Sequence, residues 1–239
     1  MESQTEYDLD NTKWGMLCRF GAIAAWFSAL LIPVAIISHI KWPPPPWAPG
    51  AANEWFIYLQ NNPFAGLLNL DFALEISLVV SIPLYLALYV TLEKYNRSLM
   101  VISTAVALLG VLLHIFSNAA LEMLLLSNAH AAASTEIHRN IFLAAGEARL
   151  SVYYGMVFQV SYVLGYLAYI MIGIVMRKSK LFGKMTANLA IITGISGFGF
   201  YLPEIGELFS VLVVILIGIW NIIVGLKLFQ SVRLYHNQI

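Results

Sequence analysis

The sequence predicts an all-α integral membrane protein, a six-helix transmembrane bundle with both termini in the cytoplasm. Three observations carry this prediction. Apolar residues make up 60% of the 239 positions and charged residues only 11%, against about 25% charged in a soluble domain. Six apolar stretches reach the length of a span, about 20 residues for a hydrocarbon core of roughly 30 Å. Lys and Arg crowd one side of the membrane that those stretches define. A water-soluble fold of this length could not hide so much apolar surface, so lipid must be its solvent.

The spans read as residues 14–40, 64–92, 98–126, 150–176, 185–202 and 208–228 of a single transmembrane domain, 1–239. The first carries Arg19 near its inner end, and Pro33 and Pro83 are expected to kink their helices, which neighbouring helices make tolerable in a bundle. The N-terminus is acidic (Glu2, Glu6, Asp8, Asp10), and Lys41-Trp42-Pro43 follows the first apolar run where a signal peptide would carry small residues. This segment therefore reads as a retained span.

Ten basic residues fall on one side (Lys13, Arg19, Lys94, Arg97, Arg177, Lys178, Lys180, Lys184, Lys227 and Arg233) and three on the other (Lys41, Arg139 and Arg149). The crowded side is expected to be cytoplasmic, in a multi-pass protein of the cell membrane. The sequon Asn96-Arg97-Ser98 then falls in an inner loop and reads as chance.

Two outer loops are long enough to hold structure. Residues 41–63 begin Lys-Trp-Pro-Pro-Pro-Pro-Trp, and consecutive prolines favour a stiff polyproline II strut. Trp42, Trp47 and Trp55 are expected in the headgroup layer, where aromatic rings prefer to lie. Glu54 to Gln60 reads as a short interfacial helix, and residues 127–149, with His130, Glu136, His138 and Arg139, as one or two surface turns. Gly21, Ala25 and Ala29, and Thr193, Gly194, Gly197 and Gly199, recur at helical spacing, a pattern that lets helices pack closely within a bundle. No internal repeat marks an inverted-repeat transporter.

Net charge is zero, which leaves no basic footprint for nucleic acid. Membrane lipids are the partners composition implies. Cys18 is the only cysteine, so neither an internal disulfide nor a Cys-based zinc site can form. No metalloprotease, nucleophile-elbow or phosphate-loop motif is present, and nothing points to a cofactor.

The polar residues inside the spans need a reason. Asp71 and Glu75 lie four apart on one helix face, roughly 10 and 16 Å below Phe64. His114, Asn118 and Glu122 are also spaced by four, and counting outward from Ser98 lifts His114 roughly 24 Å, to a similar depth. Glu147 and Gln159 belong to the fourth span, and Glu204 and Glu207 to the outer turn before the sixth. The ligand- or ion-binding candidates are Asp71, Glu75, His114, Asn118, Glu122, Glu147, Gln159 and Glu204. If a metal is bound, its ligands would be Asp71, Glu75, His114 and Glu122. Two carboxylates one turn apart in hydrocarbon are expected to share a proton, hold a cation or pair with His114. The bland alternative is that the stripes only bond helices together.

Ala144-Ala-Gly-Glu147-Ala, Val160-Ser-Tyr-Val-Leu-Gly165, Val175-Met176 and Tyr201-Leu-Pro-Glu-Ile-Gly206, with Ile82-Pro-Leu-Tyr-Leu-Ala-Leu-Tyr89 and Glu122-Met-Leu, resemble the bacterial and archaeal membrane proteins of domain-of-unknown-function family 4386. The resemblance runs from about Ala65 to Gln230, implies a multi-pass fold, and singles out Asp71, Glu122 and Glu147. It implies no reaction or ligand, and His114 matches none of its motifs. The leading functional expectation is a small-molecule, ion or lipid binding or transport protein with a polar pocket in the outer half of the bilayer. The rivals are a membrane-embedded, metal-assisted lipid hydrolase and a structural or partner-binding subunit.

Overall fold

The computed structural model describes the backbone of residues 11–236 and the side chains of 14–232. Glu2, Glu6, Asp8 and Asp10, and the side chains of Lys13, Arg233 and His236, lie outside the described residues. Eleven α-helices and one 3-10 turn are described, with no strand among them. They are α1 (Asn11–Lys41), α2 (Ala52–Asn61), α3 (Pro63–Asn69), α4 (Phe72–Val80), α5 (Ile82–Leu92), α6 (Arg97–Ser117), α7 (Ala120–Ala132), α8 (Glu136–Tyr153), α9 (Met156–Met176), α10 (Gly183–Gly197), the 3-10 turn Phe198–Tyr201 and α11 (Gly206–His236).

Among the described residues, five stretches are long and apolar enough to cross a membrane: Trp14–Lys41, Phe72–Leu92, Arg97–Ala132, Glu136–Met176 and Gly206–Val232. The fifth expected span, 185–202, is the 15-residue α10 followed by the 3-10 turn. Several expected boundaries move because the chain breaks inside them. The stretch 64–92 is interrupted at Leu70-Asp71 and again at Ser81, and 98–126 at Asn118-Ala119. The Ser81 break has a plain cause. Pro83 has no N–H to give the ladder, so it sits in the first turn of α5, where that loss is harmless. The loop expected at 127–149 is mostly helix, since α8 starts at Glu136 with Thr135 as its cap, its hydroxyl accepting from His138 N at 3.3 Å.

The chain packs as two compact units, one drawn from Met1–Leu30, Ser77–Val111 and Tyr162–Ile239, the other from Leu31–Ile76 and Leu112–Ser161. The first has a core of small and aromatic residues, including Ala22, Ala25, Ala87, Tyr169, Ala187 and Trp220. Its small residues serve close packing within the unit. A Cβ on Gly21 would lie 2.5 Å from that of Ala87, and one on Gly194 2.6 Å from Tyr166 O.

The second unit collects around Trp55, Phe56, Leu59, Leu70, Met123, Leu150 and Tyr153. Trp55 is therefore core, not headgroup anchor: it is fully buried, with Trp47 at 4.5 Å and Tyr58 at 5.9 Å between ring centroids. The Pro-rich stretch is tied down just before its first proline. Tyr58 donates to Trp42 O at 2.7 Å, and the Asn69 amide donates to Trp42 O at 2.5 Å and to Tyr58 Oη at 2.7 Å. Ser38 completes the cluster by donating to Asn69 Oδ1 at 3.0 Å. Burial pushes the Tyr58 phenol above its usual value, with the Asn69 bond acting against that, so it stays a neutral donor at physiological pH.

Candidate functional site

Three helix breaks lie in the second unit, at Leu70-Asp71, Asn118-Ala119 and Tyr154-Gly155. Each frees backbone groups that a low-dielectric interior requires to be satisfied. Several polar residues that stood out in the sequence are spent on that task. Asn118 donates to Leu70 O at 3.1 Å, while its own Oδ1 accepts from Ala120 N at 2.9 Å and starts α7. Arg149 donates to Phe116 O at 3.5 Å and to Asn118 O, placing a cation on the last carbonyls of α6, where the helix dipole favours one. Gln159 reaches back to Tyr154 O at 3.4 Å.

Glu122 contacts Arg149 at 3.2 Å and is 53% exposed. The helix break before it carries Glu122 out of the His114 stripe, so the expected four-ligand metal set does not assemble. Among the described residues, no group of three or more His, Cys, Asp or Glu side chains could hold a metal ion. A contrast between two substitutions follows. Arg149→Met should cost about 1–3 kcal/mol by orphaning carbonyls, whereas Glu122→Gln should cost under about 1 kcal/mol, because an exposed pair is worth little. Unfolding midpoints in bicelles would compare them, and equal losses would refute the capping role.

Glu147 is a clamp. Its two carboxylate oxygens accept from Gly50 N at 2.9 Å and Ala52 N at 2.8 Å, capping α2 from a different helix. Its neighbour Gly146 lets α8 approach, since a Cβ there would lie 2.6 Å from the Phe56 ring. Glu204 belongs to the other unit, in the turn before α11, with φ +66°.

What remains together is Asp71, Glu75 and His114. The Glu75 Oε2–His114 Nε2 distance is 3.5 Å, with side-chain exposures of 12% and 4%. Both Glu75 oxygens are buried and accept no hydrogen bond among the described residues. On the far side of the ring, Ser161 Oγ lies 3.5 Å from Nδ1 and gives its one proton to Phe158 O at 2.6 Å. Ser161 can then only accept from the imidazole, which assigns a proton to Nδ1. Nε2 and Glu75 Oε2 are left facing one another. One turn earlier, Asp71 takes the Tyr153 hydroxyl on Oδ2 and is near enough to both Glu75 and His39 to act on them electrostatically. Asp71 itself has φ +60°, a left-handed conformation that non-glycine residues rarely adopt, though Asp and Asn are the most tolerant.

Tyr153, Ser161 and His39 escape the sequence reading. Tyr153-Tyr154-Gly155 resembles an interfacial aromatic pair within a span, and only Gly155 hints at a break there. No family model matches the chain, no curated protein matches it, and no solved structure does.

Proposed function

We propose that the chain is a six-span protein of the cell membrane, both termini cytoplasmic, that binds or transports an ion or small polar solute. Its proton-exchanging site is Glu75 with His114, and Asp71 and Tyr153 flank it. One observation carries the reading: two nearly buried ionisable side chains face each other at 3.5 Å within apolar stretches of membrane-spanning length. Such groups are expensive in hydrocarbon and mark ion and proton paths. The count from Ser98 supports a position in the outer half of the bilayer. The span needed to make six would be α10 with its 3-10 turn, fifth in chain order and together about 30 Å long, the thickness of the hydrocarbon core. The resemblance to family 4386 is retained as a proposal. Its support is the set of sequence motifs between about Ala65 and Gln230. A structural role is favoured for Asn118, Glu122, Glu147 and Gln159 by their bonds to backbone or to Arg149.

In vesicles loaded with a pH-sensitive dye, imposed sodium or potassium gradients should move protons, and Glu75→Gln should abolish the response. Identical traces from both proteins under every gradient would defeat the proposal. The topology has its own check in a Cys18→Ala background. Asn53→Cys and Lys180→Cys, both at exposed positions, should label from opposite sides of the membrane with an impermeant maleimide. Labelling of both from one side would overturn six spans with cytoplasmic termini.

A further inference from the structure

A second polar feature does not rest on the buried pair. Trp47, Ala48, Pro49, Glu147, Leu150, Ser151 and Tyr154 line a cleft of about 160 Å³, and we propose that it binds a small organic ammonium group. Trp47 and Tyr154 form two perpendicular walls, their rings 4.7 Å apart at 83°. The third wall is the Glu147 carboxylate, fixed by the Gly50 and Ala52 amides. Each oxygen uses one lone pair on its amide and keeps another. No Lys, Arg or His side chain pairs with Glu147 among the described residues.

A half-buried anion that lines a cleft with aromatic rings selects for a cation that sheds water easily. An alkylated ammonium does so and is attracted to ring faces. A calcium ion needs six to eight oxygen ligands, which one carboxylate does not supply. Size narrows the class further. The cleft equals about five water volumes at about 30 Å³ each, below the 300–1,000 Å³ typical of a drug-sized ligand. It suits an ammonium headgroup, not a whole lipid or metabolite. Ala48, Pro49 and Ser151 are exposed at its rim and leave it open. The ligand is then either the ammonium of a phospholipid headgroup or a free amine. Trp47 also stacks on Tyr153 at 5.2 Å and 19°, and Tyr153 bonds Asp71, so one ring separates the cleft from the buried acids.

Calorimetry of the full chain in nanodiscs of phosphatidylglycerol, titrated with choline chloride against sodium chloride, tests this. Choline should bind saturably. Glu147→Gln removes the charge, and Ser151→Trp fills the cleft from an exposed position while sparing both amide bonds. Each should weaken binding at least tenfold, and Asp71→Asn should leave it unchanged. Absence of saturable choline heat, or equal binding by Ser151→Trp, would overturn the site even if Glu147→Gln fails to fold. Nanodiscs containing phosphatidylethanolamine separate the sources. Suppressed choline binding there identifies the headgroup as ligand, and unchanged affinity identifies a free amine. Loss of proton movement with choline binding intact would sink only the functional proposal above.

Discussion

Glu75→Leu is expected to destabilise the protein by about 1–3 kcal/mol, the cost of leaving a buried polar partner unsatisfied. His114→Leu should cost a similar amount. Glu75 and His114 face each other at 3.5 Å with very little exposure, so either substitution removes the polar group that faces the other in a low-dielectric environment. The double variant removes both polar groups together and should cost clearly less than the sum of the singles, as a replaced buried pair often does. A pair that shares one proton is neutral overall, whichever partner carries it. Single losses of about 3–5 kcal/mol would indicate separated charges instead. Detergent titration in bicelles gives all three values. Strictly additive losses would mean that the two side chains do not interact, and the proton-sharing arrangement would be wrong.

The class of fold was legible because it depends on composition and on apolar runs, which lipid imposes on every span. Pairing of Glu75 with His114 was legible for a related reason. Spacing by four puts residues on one face, and counting rise along two antiparallel stretches brings those faces to a common depth. The breaks were not legible. Leu70-Asp71, Asn118-Ala119 and Tyr154-Gly155 sit inside hydrophobic stretches whose periodicity runs on without interruption. What makes them stable is distant in sequence: Asn118 on Leu70 O, and Arg149 on Phe116 O and Asn118 O. Spacing by four ceases to mark one face where a break intervenes. Glu122 illustrates this. It follows Asn118 by four residues yet bonds Arg149 instead of joining His114.

The same limit explains Glu147. In sequence it is an acid at the start of a span, and cost alone suggests a ligand site. Its actual task is to cap a helix that begins 95 residues earlier, a relation no local pattern encodes. Gly146 beside it carried the better clue, since a glycine within a helical run often marks close approach, and here it admits the Phe56 ring.

Asp71→Leu should be the most damaging single change at the site, and Asp71→Asn among the mildest. Two independent costs fall on leucine. It must adopt φ near +60°, at about 1–2 kcal/mol for an ordinary L-residue. It also removes the acceptor of the buried Tyr153 hydroxyl, at about 1–3 kcal/mol. Together these predict a loss of about 2–5 kcal/mol. Asparagine escapes both, because it tolerates the left-handed region well and its amide oxygen can still accept from Tyr153. It cannot carry a negative charge, however, so the electrostatic influence of Asp71 on Glu75 disappears. Asp71→Asn should therefore fold with a midpoint close to wild type while shifting the pH dependence of any proton movement. Asp71→Gly separates the two costs of leucine, since glycine relieves the backbone and still removes the acceptor of the Tyr153 bond. Its loss should fall between those of Asn and Leu. If Leu proves as stable as Asn, neither the strained backbone nor the Tyr153 bond matters, and Asp71 has no structural hold on the site.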